Sequence, residues 1–352
     1  MIPIYKPYMP DNLLPDIEKI LYSGNLAYGK YGKLFEQALA DYTGNLNILT
    51  VSSYNHAMQI VLSTLGLQQG DEIIASPVSC LASNQPFVVK NLKIVWADVN
   101  PETGSMCPED VKKRITSKTK AIFHNHFCGY LGQIDEIRKI GIEHNLIVVD
   151  DCIEAFGSEF NGKKMGSNES DIAVFSFQTV RLPNTIDGAA ISFKNQNLYE
   201  KAKMIRDYGI DRSKFRDVNG EISAECDIEV EGYGALMSEI NSLIGIKQMN
   251  DIDDLLKKQR QNAIVWNERI AESKQIVPLN LNKETNPNFW VYGVLCEDKK
   301  LALEEFRKKG WYATGVHINN NIYSVFKNSE KLIGVSKFMN QFLALPCGWW
   351  VQ

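Results

Sequence analysis

The segment LIVVDDCIEAFGS ends an apolar run on two adjacent carboxylates, Asp150 and Asp151. A carboxylate at the carboxyl end of a buried strand is costly unless it meets a cation, because an isolated charge is not tolerated at low dielectric. Asp151 therefore calls for a positively charged partner. Taken alone, its plainer reading is an N-cap of the helix that follows. A second cluster, HNHFC, brings His124 and His126 close to Cys128. The seven cysteines include no CxxC pair, and no second ligand cluster accompanies Cys128, so neither a metal site nor a disulfide framework is expected. The thiols are read as reduced.

These residues need a scaffold, and the pattern supplies one. From Leu46 to about Ser192, short apolar or β-branched runs alternate with helical stretches, as in crossover-connected, mainly parallel strands. The runs at 73–76, 92–99, 121–126 and 146–151 are too apolar for one-sided strands, so both sheet faces should be covered. Helices are predicted in NHAMQIVLSTLGL and QIDEIRKIGIEHN, and from Leu198 to about Asp207. The polar stretch DRSKFRDVNGEISAECDIE reads as a loop or short hairpin near a site or interface. Residues 237–275 read as a helical link to a smaller α+β region with a strand at WVYGVLC and a helix ended by Gly310.

With 352 residues and a net charge of −4 spread evenly, the chain can bury a large core and carries no basic block. Nucleic-acid and anionic-membrane partners are therefore not expected. No apolar run approaches the ~18 residues of a membrane span, and a cytoplasmic location is expected.

Taken in order, SGNLAYGKYGKLFEQALADYTG, TVSSYNHAM, GLQQGDEIIASP, HNHFCGY, VVDDCIEAFGS, FSFQTVRLPNTIDGAA, KMIRDYGIDR and MSEINSLIGIKQM resemble the DegT/StrS family of nucleotide-sugar aminotransferases, which depend on pyridoxal 5'-phosphate (PLP). The resemblance implies an α/β, fold-type I PLP-dependent transferase. Its large domain, with a mainly parallel sheet of the seven-stranded type, would fall with the N-terminal segment in residues 1–240. Residues 241–352 would form the helical link and a small C-terminal α+β domain. It also implies PLP or pyridoxamine 5'-phosphate (PMP) as cofactor, a nucleotide-linked keto-deoxysugar and an amino-acid donor such as glutamate as ligands, and a homodimer. A place in dTDP-sugar or O-antigen synthesis is implied in the same way.

By position, the resemblance pairs Asp151 with the pyridine nitrogen, keeping the ring protonated as an electron sink. Ser53, Tyr54 and Asn55 stand at the family's Ser-Gly-Thr, where free N–H groups at a helix start hold the phosphate. Because Tyr54 replaces glycine and Asn55 a hydroxyl residue, the phosphate would rely on backbone amides, Asn55, Ser176 and Gln178. An ordinary N-capping Ser pair also explains Ser53. Cys80 falls where the family stacks a side chain on the ring face, and Glu154 where it usually has Gln. A buried structural thiol and a solvated helix residue are the respective alternatives. His126 and Gly129 match a His-x-x-Gly turn in a supporting role. His317 and Tyr323 lie in the segment GVHINNNIY, which tends to reach the sugar.

Arg181 occupies the place of the family's Schiff-base lysine, and lysine and arginine are not interchangeable there. A desolvated lysine amine can lose its proton and act as nucleophile and base. A guanidinium stays protonated to about pH 12 and does neither. Lys163 and Lys164, in a surface hairpin, do not substitute for it. Three readings stay open: a substituted aminotransferase, a natural member without catalysis, or a relative of the lysine-less, PMP-dependent sugar dehydratases. The first is favoured, since arginine keeps the charge and the surrounding site otherwise looks maintained. Gly234 and Leu236 stand where the family commonly has Asn and Arg reaching across the dimer. The sequence also ends short of the family's usual final helix, as truncation would give.

Overall fold

The structure is a computed structural model that describes residues 1–327 and 330–351. Two helices, α1 (Leu14–Leu21) and α2 (Lys30–Thr43), precede a seven-stranded sheet. Its strands are β1 (Ile48–Val51), β2 (Glu72–Ala75), β3 (Lys93–Trp96), β4 (Thr119–Asn125), β5 (Ile147–Cys152), β6 (Ile172–Ser176) and β7 (Ala189–Phe193). They lie in the order β1-β7-β6-β5-β4-β2-β3. Only β7 is antiparallel to its neighbours, so the sheet is the mainly parallel one that the apolar runs predict.

Alternating residues of the central strands feed two cores, because successive side chains point to opposite faces. Phe123 and Val149 pack with Val61 and Phe87, on the side of α3 (Tyr54–Thr64) and α4 (Leu81–Val89). Ile122 and Val148 pack with Val111 and Ile137, on the side of α5 (Pro108–Arg114) and α6 (Ile134–His144). Both faces are covered, which is why these strands read as continuous apolar runs. Phe35 and Leu39 of α2 build a further cluster with Phe175 and Phe177.

After α7 (Gln196–Arg206), residues 208–227 form an exposed loop with one isolated bridge, Arg216 to Ile222. The predicted helical link divides into α8 (Glu239–Met249), capped by Ser238, and α9 (Ile252–Ile270). Beyond it come β8 (Ile276–Pro278), β9 (Tyr292–Cys296), α10 (Lys299–Lys308), α11 (Ile333–Gln341) and β10 (Phe342–Leu345). The three strands make an antiparallel sheet, β8-β9-β10, over a separate core of Trp266, Tyr292, Phe306 and Leu343. Among the described residues no helix is long and apolar enough to cross a membrane.

The hairpin of Glu159–Phe160 and Lys163–Lys164 keeps both lysines at the surface. Lys163 pairs with Glu169 at 2.5 Å, and Lys164 pairs with Glu159 at 3.2 Å and lies over the Tyr42 ring.

Candidate functional site

The parallel register of β4 and β5 sets His124 beside Asp150 and Asn125 beside Asp151. Asp151, 2% exposed, therefore faces α3 and α4. It accepts hydrogen bonds from the Tyr54 hydroxyl (2.5 Å), Asn125 Nδ2 (2.7 Å) and the Ile153 amide (3.2 Å). All three donors are neutral. Burial pushes the Asp151 carboxyl up, and the bonds from Ser83, Tyr54 and Asn125 only partly offset it. Burial, reinforced by the Asp151 charge, also holds the Tyr54 phenol well above its ordinary value, so it is a donor at neutral pH. No helix follows Asp151, since residues 153–158 form turns, so the N-cap reading of this residue does not hold.

Three residues beyond Asp151 is a charged knot. Glu154, 3% exposed and not the solvated helix residue considered above, accepts from the Cys128 amide through Oε2 (2.6 Å) and meets His317 Nε2 through Oε1 (3.0 Å). Arg181 Nη2 lies 3.5 Å from the same Oε1, and its guanidinium stands over the Trp290 ring at 4.3 Å. Burial works against the Glu154 charge, but the bond to His317 and the Arg181 cation outweigh it and hold the carboxyl below its ordinary value. Arg181 Nε and Nη1 are buried and without a hydrogen-bond partner. The voids beside Arg181 measure about 10 Å³ each, about the room of a single water.

The turn before this knot depends on Gly129, whose φ is +86° and whose added Cβ would lie 2.1 Å from Asn288 Oδ1. Asn288 Nδ2 in turn donates to the Glu154 carbonyl at 2.7 Å and to that of Phe156 at 3.0 Å.

The remaining residues singled out in the sequence divide. Ser53 is the N-cap of α3, its hydroxyl accepting from the His56 amide at 3.2 Å. Asn55 is exposed in the first turn. Ser176 is buried and accepts from the Gln178 amide at 3.3 Å, while Gln178 itself is exposed. Cys80 precedes α4, and its thiol is pushed up to about 11, first by burial and then by the Glu154 charge. Tyr323 is 39% exposed, and no side-chain contact ties it to the knot. Leu236 lines an open cleft of about 870 Å³ with Tyr28, Arg206 and Asp207.

Sequence reasoning missed Asn125, Ser83, Trp290 and Tyr5. The first sits inside HNH and was open to discovery. Tyr5, whose ring stacks on Trp290 at 4.6 Å, carries no such signal. On the other face, His124, His126 and Asp150 gather within 4.8 Å. The Gly132 amide points at His126 Nδ1 (3.4 Å), which leaves the proton on Nε2 to donate to Asp150 (3.1 Å). Arg138 lies 3.6 Å from Asp150, so this cluster contains its own cation.

The sequence pattern of the DegT/DnrJ/EryC1/StrS aminotransferase family matches residues 7–349. The chain belongs to this family. Among solved structures, AtS13 from Actinomadura melliaura is 27% identical, with a TM-score of 0.94 over 100% of this chain and 95% of that one. The sugar aminotransferase CalS13 from Micromonospora echinospora is 24% identical, with a TM-score of 0.93 over 100% and 96%. Spr1654 from Streptococcus pneumoniae, solved in PLP and PMP forms, is 21% identical in both, with TM-scores of 0.88 and 0.89; its PLP form covers 99% of this chain and 93% of that one. Those relatives bring a pyridine ring and a phosphate arm to be tested against the residues present. The Asp151 carboxylate suits a ring nitrogen, and the capped start of α3 suits a phosphate. The space and the amine do not fit in this conformation. Tyr54 already occupies Asp151, Arg181 offers a guanidinium and no free amine, and the voids beside it measure about 10 Å³ each.

Proposed function

We propose that this chain is a sugar-aminotransferase homologue that does not transaminate by itself. Its ligand class would be a nucleotide-linked keto-sugar, with glutamate as the amino-acid donor of the parent reaction and PLP or PMP as the cofactor class. The observation that carries this reading is Arg181, locked between Glu154 and Trp290 at the position of the reactive amine. PLP, when bound, supplies the electron sink for amino-group transfer. The chain's own residues supply a carboxylate for the ring nitrogen, Asp151, and a helix start for the phosphate at Ser53. They supply neither a nucleophile nor a base at residue 181, because a guanidinium keeps its proton at neutral pH. Arg181 supplies no base for a dehydratase either.

This reading places the boundary between the two sheet-bearing regions near residue 241, and a homodimer and a cytoplasmic location belong to it as well. The test is release of 2-oxoglutarate from glutamate in the presence of PLP and a nucleotide-linked keto-sugar. The expected result is no release above a protein-free control; steady turnover would overturn the reading.

A further inference from the structure

Three departures from the family pattern fall on two pairs of buried contacts: Tyr54, in place of glycine, on Asp151, and Arg181, in place of lysine, on Glu154, in place of glutamine. A replacement at residue 181 alone does not account for the other two. Tyr54 and Arg181 are 5% and 7% exposed, so the cradle is closed to solvent by its own side chains. The Tyr54 ring belongs to the core over α3, and its hydroxyl reaches the one of these two carboxylates that has only neutral donors. A six-membered ring carrying a hydrogen-bond donor thus sits on Asp151, where a protonated pyridine would place its own ring and its own N–H.

We propose that Tyr54 is a built-in competitor for the cofactor: its phenol holds the ring's place at Asp151, and PMP or PLP binds this chain only when that phenol is displaced. The inference rests on the reading of Asp151 and residue 181 given above. The competition is uneven in chemistry. Tyr54 is tethered and always present, but it brings a neutral donor, whereas a pyridinium would bring the cation that Asp151 lacks. Glu154 and Arg181 hold the opposite end shut with a charge pair that a family glutamine and lysine would not make.

The experiment is an equilibrium titration of the purified full chain with PMP, which has no aldehyde to react with surface lysines. Tyr54→Gly and Tyr54→Ala are expected to bind PMP at least about tenfold more tightly than the unsubstituted chain, the scale of one buried hydrogen bond to a charged group. Equal affinities overturn the proposal. Should neither variant keep its circular dichroism, the unsubstituted chain decides: micromolar or tighter PMP binding overturns the proposal, and weaker binding supports it. A second readout uses PLP absorbance. Arg181→Lys alone is expected to show no shifted visible band, and Tyr54→Gly/Arg181→Lys to show one that glutamate bleaches. A band with Arg181→Lys alone removes the competitor but leaves the site reading standing. No PMP binding by Tyr54→Gly together with no band in the double variant takes down the site reading itself.

Discussion

Asp150 and Asp151 are neighbours on one strand, both almost fully buried, and their carboxyls are pushed in opposite directions. Burial penalises both charges. On the α6 face, Asp150 overcomes it with His124, His126 and the Arg138 guanidinium, and ends well below its ordinary value. On the α3 face, Asp151 meets a phenol, an amide side chain and a backbone N–H, and ends above it. The strand pleat separates two environments that the sequence writes as one dipeptide. A carboxylate that holds the fold brings its own cation. A carboxylate placed without one waits for a cation from outside the chain or accepts a neutral substitute.

The comparison breaks most visibly if Asp150 loses its charge. Asp150→Asn leaves Arg138 buried in part and unpaired, and removing one partner of a buried pair costs about 4 kcal/mol. Denaturant unfolding at neutral pH should report that loss. A change under about 1 kcal/mol would mean that Arg138 finds water instead.

Next in size is a pH effect on the same face. His124 is pushed down to about 4, by burial first, with the His126 and Arg138 charges acting in the same sense and Asp150 against them. Its folded value lies below the unfolded one, so the unfolded chain binds the proton first as pH falls. Stability should therefore drop between about pH 6.5 and pH 4, by up to about 3 kcal/mol. Unfolding midpoints across that window should slope upward with pH, and His124→Asn should flatten the slope. The Asp150 carboxylate, held low, adds its own loss only as pH falls below the usual carboxylate range.

Much of this contrast lies outside what a sequence displays. Apolar runs locate the strands, and the end of LIVVDD locates the carboxylates. The need of a buried carboxylate for a cation is met within the chain at Asp150, whereas at Asp151, where the sequence raises it, the chain itself supplies only neutral donors. Arg138 lies on a helix, and its reach to Asp150 depends on how α6 crosses the sheet. Tyr54 and Asp151 are 97 positions apart and meet only because α3 packs on the face where Asp151 points. The turn after β5 carries no helix periodicity of its own to reveal that Glu154 is buried, and its partners come from residues 128, 181 and 317. Family position points to Tyr54, Glu154 and Arg181, and only packing shows that Arg181 pairs with Glu154 while Tyr54 bonds Asp151.

The smallest expected effect sharpens the comparison most, because it differs in sign from the first. Asp151 has a folded value above its unfolded one, so its ionised form is a burden that grows as pH rises. Asp151→Asn removes that burden and keeps Oδ1 for the Tyr54 and Ile153 donors, while its Nδ2, in place of Oδ2, is met once the Asn125 amide turns its free Oδ1 toward it. Unfolding at pH 7 should shift by less than about 1 kcal/mol, toward higher stability if at all. The advantage of the variant should shrink as pH falls toward the usual carboxylate range, where the unsubstituted side chain takes up its proton. A loss as large as that of Asp150→Asn would show that a cation reaches Asp151 in the folded chain, and that the two faces of the strand are alike after all.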